Sequence, residues 1–250
     1  MKPTIISIKK IGLLFSIVIL LFSCQSEKKD LSNQDQKEPI ESTPARFVKG
    51  NTLISKELPE IQIKVDEEFN FIGKFYFEII ASSEEYAPEM RGKPIAAGDR
   101  YVFVSADENQ VVNKLFIVQL EGFLKENDLI FNYNFDKSDF IGENKYRHNT
   151  WFYDSKMLAK ENPNNEGAKT RRFLQEKGFV LEDQFMMSRF VGLASEDRKN
   201  EIIIFYIEML KKTTGYSLEK YKNSVNKEEA QLIQDDFVER SKNSFDIIKG

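Results

Sequence analysis

Phe69-Asn70-Phe71-Ile72-Gly73-Lys74-Phe75-Tyr76-Phe77-Glu78-Ile79 is the stretch from which the fold of this chain is read. Phe69, Phe71, Gly73, Phe75, Phe77 and Ile79 recur at a spacing of two. Asn70, Lys74, Tyr76 and Glu78 mark the opposite side, with Ile72 and Ile80 as exceptions. A period of two with one apolar face predicts a strand in an antiparallel sheet. Gly73, inside the run, marks a bulge or a bend.

Upstream, Ile61, Ile63 and Val65 alternate with polar residues as a short strand, and Phe47-Val48 and Leu53-Ile54 open the domain. Downstream, residues 82–99 read as a loop rich in Ser, Glu, Pro and Gly. Tyr101–Ser105 and Lys114–Glu121 form a hairpin around Asp107-Glu108-Asn109. Leu129, Phe131, Tyr133 and Phe135 alternate with polar residues, which predicts a further half-buried strand, and Trp151-Phe152-Tyr153 a short one. Asn165 and Gly178 bracket a helix over 166–177. Strands follow over 185–193 and 201–209, joined by a turn over 195–200.

Asn226 and Glu229 make a capping-box-like start to a long helix over 227–248, about 33 Å at 1.5 Å per residue. Ala230, Ile233, Phe237, Ser241, Ser244 or Phe245, and Ile248 share its stripe. Strands 114–121 and 201–209 are apolar on both sides, which places them centrally with both faces covered. The expected fold class is therefore α+β, an antiparallel β-sheet of roughly six to eight strands with this amphipathic C-terminal helix packed on one face. By element order this is similar to the helix-grip arrangement. The alternative is a closed, lipocalin-like β-barrel.

Residues 1–23 have the three parts of a secretory signal: Lys2, Lys9 and Lys10, an apolar run from Ile11 to Phe22, and the small Ser23. Leu21-Phe22-Ser23-Cys24 resembles the lipobox of bacterial lipoproteins, with Leu and a small residue at the matching positions. The resemblance implies lipidation of Cys24 and anchoring in the cell envelope. Gln25, where Asp would favour the inner membrane, implies outer-membrane sorting. Cys24 is the only cysteine, so lipidation leaves no thiol for disulfides or thiolate chemistry. Residues 24–45, polar and without aromatics, read as a flexible tether, and 46–250 as a single α+β domain. Removing residues 1–23 takes three lysines and no acid. Lys plus Arg falls from 36 to 33 against 40 Asp plus Glu, a formal charge of −7. That argues against a nucleic-acid partner, which requires a basic footprint. The expected partners are the membrane through the lipid on Cys24, an envelope protein, or a small apolar ligand.

Gly73-Lys74-Phe75-Tyr76 is similar to the Gly-x-Trp-Tyr opening of lipocalins without its tryptophan, and this resemblance implies a barrel holding a small hydrophobic ligand. His148 is the single histidine, so any Ser-His-Asp site must use it, and a zinc site lacks its usual ligands. Tyr146-Arg147-His148-Asn149 with Trp151 reads either as a ligand-gripping loop or as a surface turn whose tryptophan plugs the core edge. Glu78, Glu121 and Glu208 interrupt apolar strand runs. Glu121 and Glu208, facing one another across central strands, would make a buried carboxylate pair fit for acid–base hydrolysis. The rival reading places the glutamates at strand ends and rims, each with a basic partner: Arg100, Arg189 or Lys211. No catalytic residue, cofactor or metal is assigned. The leading reading is a non-catalytic binding or structural lipoprotein, with a carrier of a small hydrophobic ligand and a glutamate hydrolase as alternatives.

Overall fold

The computed structural model describes residues 44–136, 138–161 and 163–248. The signal, Cys24 and the tether up to residue 43 lie outside the described residues. The chain opens with β1 (Arg46–Lys49), β2 (Thr52–Lys56) and β3 (Glu60–Val65). Next come β4 (Asn70–Ile80), β5 (Pro94–Ala106), β6 (Val112–Phe123), β7 (Ser138–Ile141) and β8 (Asn144–Asp154). Helices α1 (Ser155–Glu161) and α2 (Glu166–Glu176) lead to β9 (Gln184–Leu193) and β10 (Asn200–Met209). Then follow α3 (Leu210–Thr214), α4 (Leu218–Ser224), α5 (Lys227–Asn243) and β11 (Phe245–Ile248).

The strands form two open sheets, seven-stranded in the order β4-β5-β6-β10-β9-β8-β7 and four-stranded in the order β1-β2-β3-β11. Every strand pairing within them is antiparallel. Neither sheet closes into a barrel, so the lipocalin-like alternative is corrected. The two strands read as apolar on both sides, β6 and β10, are neighbours in the middle of the large sheet. On the first face of that sheet, Tyr101, Phe116, Phe190, Ile204 and Tyr206 share one core with Leu53, Ile63, Val65 and Phe245 of the small sheet. On the second face, Val102, Leu115, Ile117, Phe185 and Ile207 pack with Leu174 of α2. At roughly 1.5–3 kcal/mol per buried large apolar side chain, these two layers supply the main drive to fold.

The opening strand holds a correction. Its register against β5 shifts between Phe71 and Gly73. Phe71 therefore meets Phe103 at 5.1 Å on the first face, while Phe75 meets Phe173 of α2 at 5.1 Å on the second. The six alternating residues do not share one face. Gly73 makes the bulge possible: its φ is +133°, and a Cβ there would stand 3.2 Å from the Phe173 ring. The four residues similar to the lipocalin motif follow this bulge in regular register on an edge strand.

The helix expected over 227–248 ends at Asn243. Asn226 caps it as expected, its side chain accepting from Glu229 N at 2.9 Å. Beyond the cap at Ser244, Phe245 and Ile247 pair with Val65 and Ile63 as β11, and Phe245 packs against Phe116 and Phe190 at 5.2 and 5.8 Å. From α5, Phe237 lies 5.7 Å from Tyr206, and Ser241 Oγ donates to Ser188 Oγ at 3.0 Å.

Residues 129–135 are extended but join no sheet. Phe131 N donates to Arg198 O, and Arg198 Nε returns a bond to Phe131 O, both at 2.8 Å. The turn over 195–200 takes the place of a partner strand. Phe123, Phe131, Tyr133 and Phe135 form a run of ring contacts along the stretch.

Candidate functional site

The register of β6 against β10 sets Glu121 directly opposite Glu201. Glu121 also lies opposite Gly98 of β5, where a Cβ would come within 2.8 Å of Glu121 Cα. The missing side chain of Gly98 lets β5 come close to the β6 backbone at Leu120 and Glu121. One row along, Arg100 of β5 lies beside Gln119 of β6. Arg100 Nε donates to Gln119 Oε1 at 2.7 Å, and its Nη2 bonds to the same oxygen. Arg100 Nη1 donates to Thr170 Oγ1 at 2.7 Å and to Glu166 O at 3.0 Å, both on α2. Its guanidinium stands 5.0 Å from the Phe205 ring. Gln119 Nε2 donates in turn to Glu121 Oε2. Glu121 and Glu201 stand directly opposite one another, and Tyr133 of the 129–135 stretch acts on Glu201 from the other side. The polar network thus runs from α2 across three strands to the 129–135 stretch.

Glu201 is 1% exposed, and its Oε2 has no hydrogen-bond partner among the described residues. Burial and the adjoining Glu121 carboxyl push Glu201 up to about 9, against the opposing pull of Tyr133 and Arg189. Burial and Glu201 also push the Tyr133 phenol up. Burial pushes Arg100 down to about 10, opposed by Glu166 and Glu121, so it stays a cation at neutral pH. Two further guanidiniums stand near. Arg147 of β8 lies 5.7 Å from the Tyr133 ring. Arg189 of β9 acts on Glu201 and Tyr133 through its charge. The Arg189 guanidinium makes no hydrogen bond or ion pair among the described residues.

These groups form one end of a cleft of about 650 Å³ on the second face of the large sheet. Successive registered rows carry it from Glu121–Glu201, past Arg100, Gln119 and Ile203, to Leu115, Ile207, Met187 and Trp151. The far end is apolar. Residues at the start of α2 and Phe131 and Tyr133 also line the cleft. A pocket of this size, apolar with a few convergent polar groups, suits a small organic molecule.

Of the three glutamates singled out, only Glu121 is in this site. Glu78 is exposed on edge strand β4, with Tyr76 Oη at 3.4 Å. Glu208 lies opposite Lys114, at the other end of β10 and on the first face. The expected Glu121–Glu208 pair is therefore corrected: both stand near the C-terminal ends of antiparallel neighbours, which point in opposite directions. Glu208 has a basic partner, as in the rival reading, but it is Arg240 rather than Arg100, Arg189 or Lys211, and the carboxyl is 1% exposed rather than at the rim. Arg240 of α5 donates to both its oxygens at 2.8 Å, and Tyr206 Oη donates to Oε1 at 2.5 Å. Burial alone would raise Glu208, but the bonds from Arg240 and Tyr206 outweigh it and hold the carboxyl below the usual range. Sequence reasoning missed Glu201, Arg100, Arg189 and Tyr133 as site residues. Glu201, an acid at the start of a strand read as apolar on both sides, was the available signal.

Tyr146-Arg147-His148-Asn149 is not a loop or turn but the middle of β8, and Trp151 lines the cleft. On the first face, Asp139 Oδ2 lies 2.7 Å from His148 Nδ1, and His148 Nε2 lies 2.7 Å from Ser188 Oγ. The order is that of a nucleophile, base and orienting acid. Ser188, however, is 0% exposed and accepts from Ser241 of α5, and His148 stacks on Phe190 at 4.3 Å. No substrate reaches such a serine, and the set is a satisfied buried polar chain. Burial lowers the His148 pKa against the opposing pull of Asp139, with Lys242 adding to the lowering.

Among the described residues no group of three or more His, Cys, Asp or Glu is placed to hold a metal ion, and no helix is long and apolar enough to cross a membrane. Comparison with protein-family models, with curated proteins and with solved structures finds no match.

Proposed function

We propose that this chain is a binding lipoprotein of the bacterial cell envelope, carrying a small amphipathic organic molecule in the second-face cleft. The observation that carries the reading is the cleft itself: about 650 Å³, with a buried charged network at one end and an apolar wall at the other. In this reading α5 is the fixed cover of the first face, through Phe237 on Tyr206 and Arg240 on Glu208. The second face is left for the ligand. Cys24 carries the lipid, residues 24–45 are the tether, and the outer membrane is the destination that Gln25 favours.

The test is native purification followed by mass spectrometry of the intact protein. A bound small molecule that is lost in Ile203→Trp, which fills the cleft, supports the reading. A ligand-free protein that co-purifies with a protein partner overturns it. Metabolic labelling with a lipid precursor tests the anchor: label on the wild type and none on Cys24→Ala is the expected result, and equal labelling refutes lipidation at Cys24.

The Glu121–Glu201 pair favours one second reading, a hydrolase in which the protonated member acts as acid and its partner as base. Turnover of ester or glycoside substrates that vanishes in Glu201→Gln would support it over the carrier.

A further inference from the structure

We propose that the molecule held in the second-face cleft is an organic monocarboxylate with an apolar tail, its carboxylate on Arg189 beside Tyr133 and its tail along Leu115, Met187 and Trp151. This rests on the cleft-binding reading and names the ligand's class.

The charges around the cleft leave a place for one anion. Three guanidiniums gather on this face, Arg100 from β5, Arg147 from β8 and Arg189 from β9. None makes an ion pair within 4.0 Å among the described residues. Arg100 gives its donors to neutral oxygens of Gln119, Thr170 and Glu166. Arg147 is spent on the Tyr133 ring. Arg147 lies opposite Val191, and Arg189 opposite Asn149, so the two arginines are diagonal neighbours on adjacent strands. Long side chains so placed reach a common point. Facing them are Glu166 of α2 and the Glu121–Glu201 pair. Two buried carboxyls set directly opposite one another cannot both ionise cheaply, so the pair carries a single negative charge. Three cations against Glu166 and that pair leave one positive charge uncompensated, in a site walled by apolar residues. A guanidinium in such surroundings binds a carboxylate strongly and in two-pronged geometry. The orphaned Glu201 Oε2 is a second incomplete polar group in the same end. The far rows, Leu115, Ile207, Met187 and Trp151, offer a tail only apolar contact.

Trp151 is the single tryptophan and lines the cleft, so its emission reports binding to the full chain. The probes are decanoate and phenylacetate, each against the alcohol of the same carbon count, decanol and phenylethanol. At least one acid is expected to bind about tenfold or more tightly than its alcohol, as a charged hydrogen-bond pair requires. The tighter acid assigns an acyl or an aryl tail. Arg189→Gln should close the gap between acid and alcohol, and Arg189→Lys should restore part of it. Wild-type affinity for the acid should fall as pH rises and Glu201 gives up its proton, and Glu201→Gln should remove that slope. Acid and alcohol binding alike, or a gap that survives Arg189→Gln, overturns the carboxylate assignment while leaving the cleft reading standing. Trp151 emission unmoved by all four probes overturns both.

Discussion

The two ends of β10 each bury a glutamate, and the molecule treats them in opposite ways. Glu208, on the first face, is met by a two-pronged arginine and a tyrosine and is held ionised. Glu201, on the second face, is met by another glutamate and keeps an oxygen without a partner. An unmade hydrogen bond on a buried group costs about 1–3 kcal/mol. Complete compensation marks structure, and incomplete compensation next to a cleft marks a site. The Asp139–His148–Ser188 chain fits the first half of this rule. Its residue types are those of a nucleophilic site, yet each group has a partner and Ser188 has no exposure.

The largest expected effect comes from Arg100, which joins α2 to the second face. Arg100→Met leaves Gln119 Oε1, Thr170 Oγ1 and Glu166 O without their charged donor and, at about 1–3 kcal/mol for each buried acceptor left unmet, should cost about 3 kcal/mol or more in urea unfolding. A loss under about 1 kcal/mol would mean that the network is loosely held and that the contrast between the faces is wrong. Glu208→Gln is next. Arg240 is 40% exposed on its side chain and can turn to water, so the cost should be nearer 1–3 kcal/mol than the full price of a buried charge. Because Glu208 is held below its unfolded value, its contribution is present above about pH 4.3 and is lost as pH falls through the folded value. Wild type and variant should therefore converge in acid. Equal stability at neutral pH breaks the comparison.

Much of the sheet was legible because alternation is local. The central place of β6 and β10 followed from apolar residues on both sides, and the caps Asn165 and Asn226 bond as their residue types require. What failed was non-local. Gly73 was readable as a bulge, but not that the bulge would send Phe71 and Phe75 to opposite faces. Phe245 and Ile248 satisfy a helical stripe and a strand equally well, and only pairing with β3 decides between them. Phe131, Tyr133 and Phe135 alternate in burial, yet the hydrogen bonds of Phe131 and Tyr133 go to Arg198 rather than to a partner strand. The site was hidden for the same reason. Which glutamate faces Glu121 depends on register, and an antiparallel order brings the start of β10, not its end, beside the end of β6. That order was already implied by the antiparallel reading, so Glu201 was within reach of the sequence. Arg189 and Arg147 were not, because nothing local says that two arginines on separate strands will share a corner.

The smallest expected change in stability is the one that separates the faces most sharply. Glu201→Gln places a neutral amide where a protonated acid already stands, so near neutral pH stability should change by under about 1 kcal/mol or rise. The sign of the pH dependence is opposite to that of Glu208. Glu201 is raised from an unfolded value near 4.3 to about 9, so between these values the folded state holds a proton that the unfolded state has released. Its contribution is whole below the unfolded value and is lost as pH rises through the folded one. Wild-type protein should therefore weaken steadily on the alkaline side, while Glu201→Gln lacks that part of the decline. Measured side by side, Glu208→Gln should lose its difference from wild type in acid and Glu201→Gln should gain its advantage in alkali. If each variant instead keeps a constant difference from wild type between about pH 2 and about pH 9, neither carboxyl is shifted in the way its partners require. The distinction between the satisfied glutamate and the unsatisfied one would then have no energetic content.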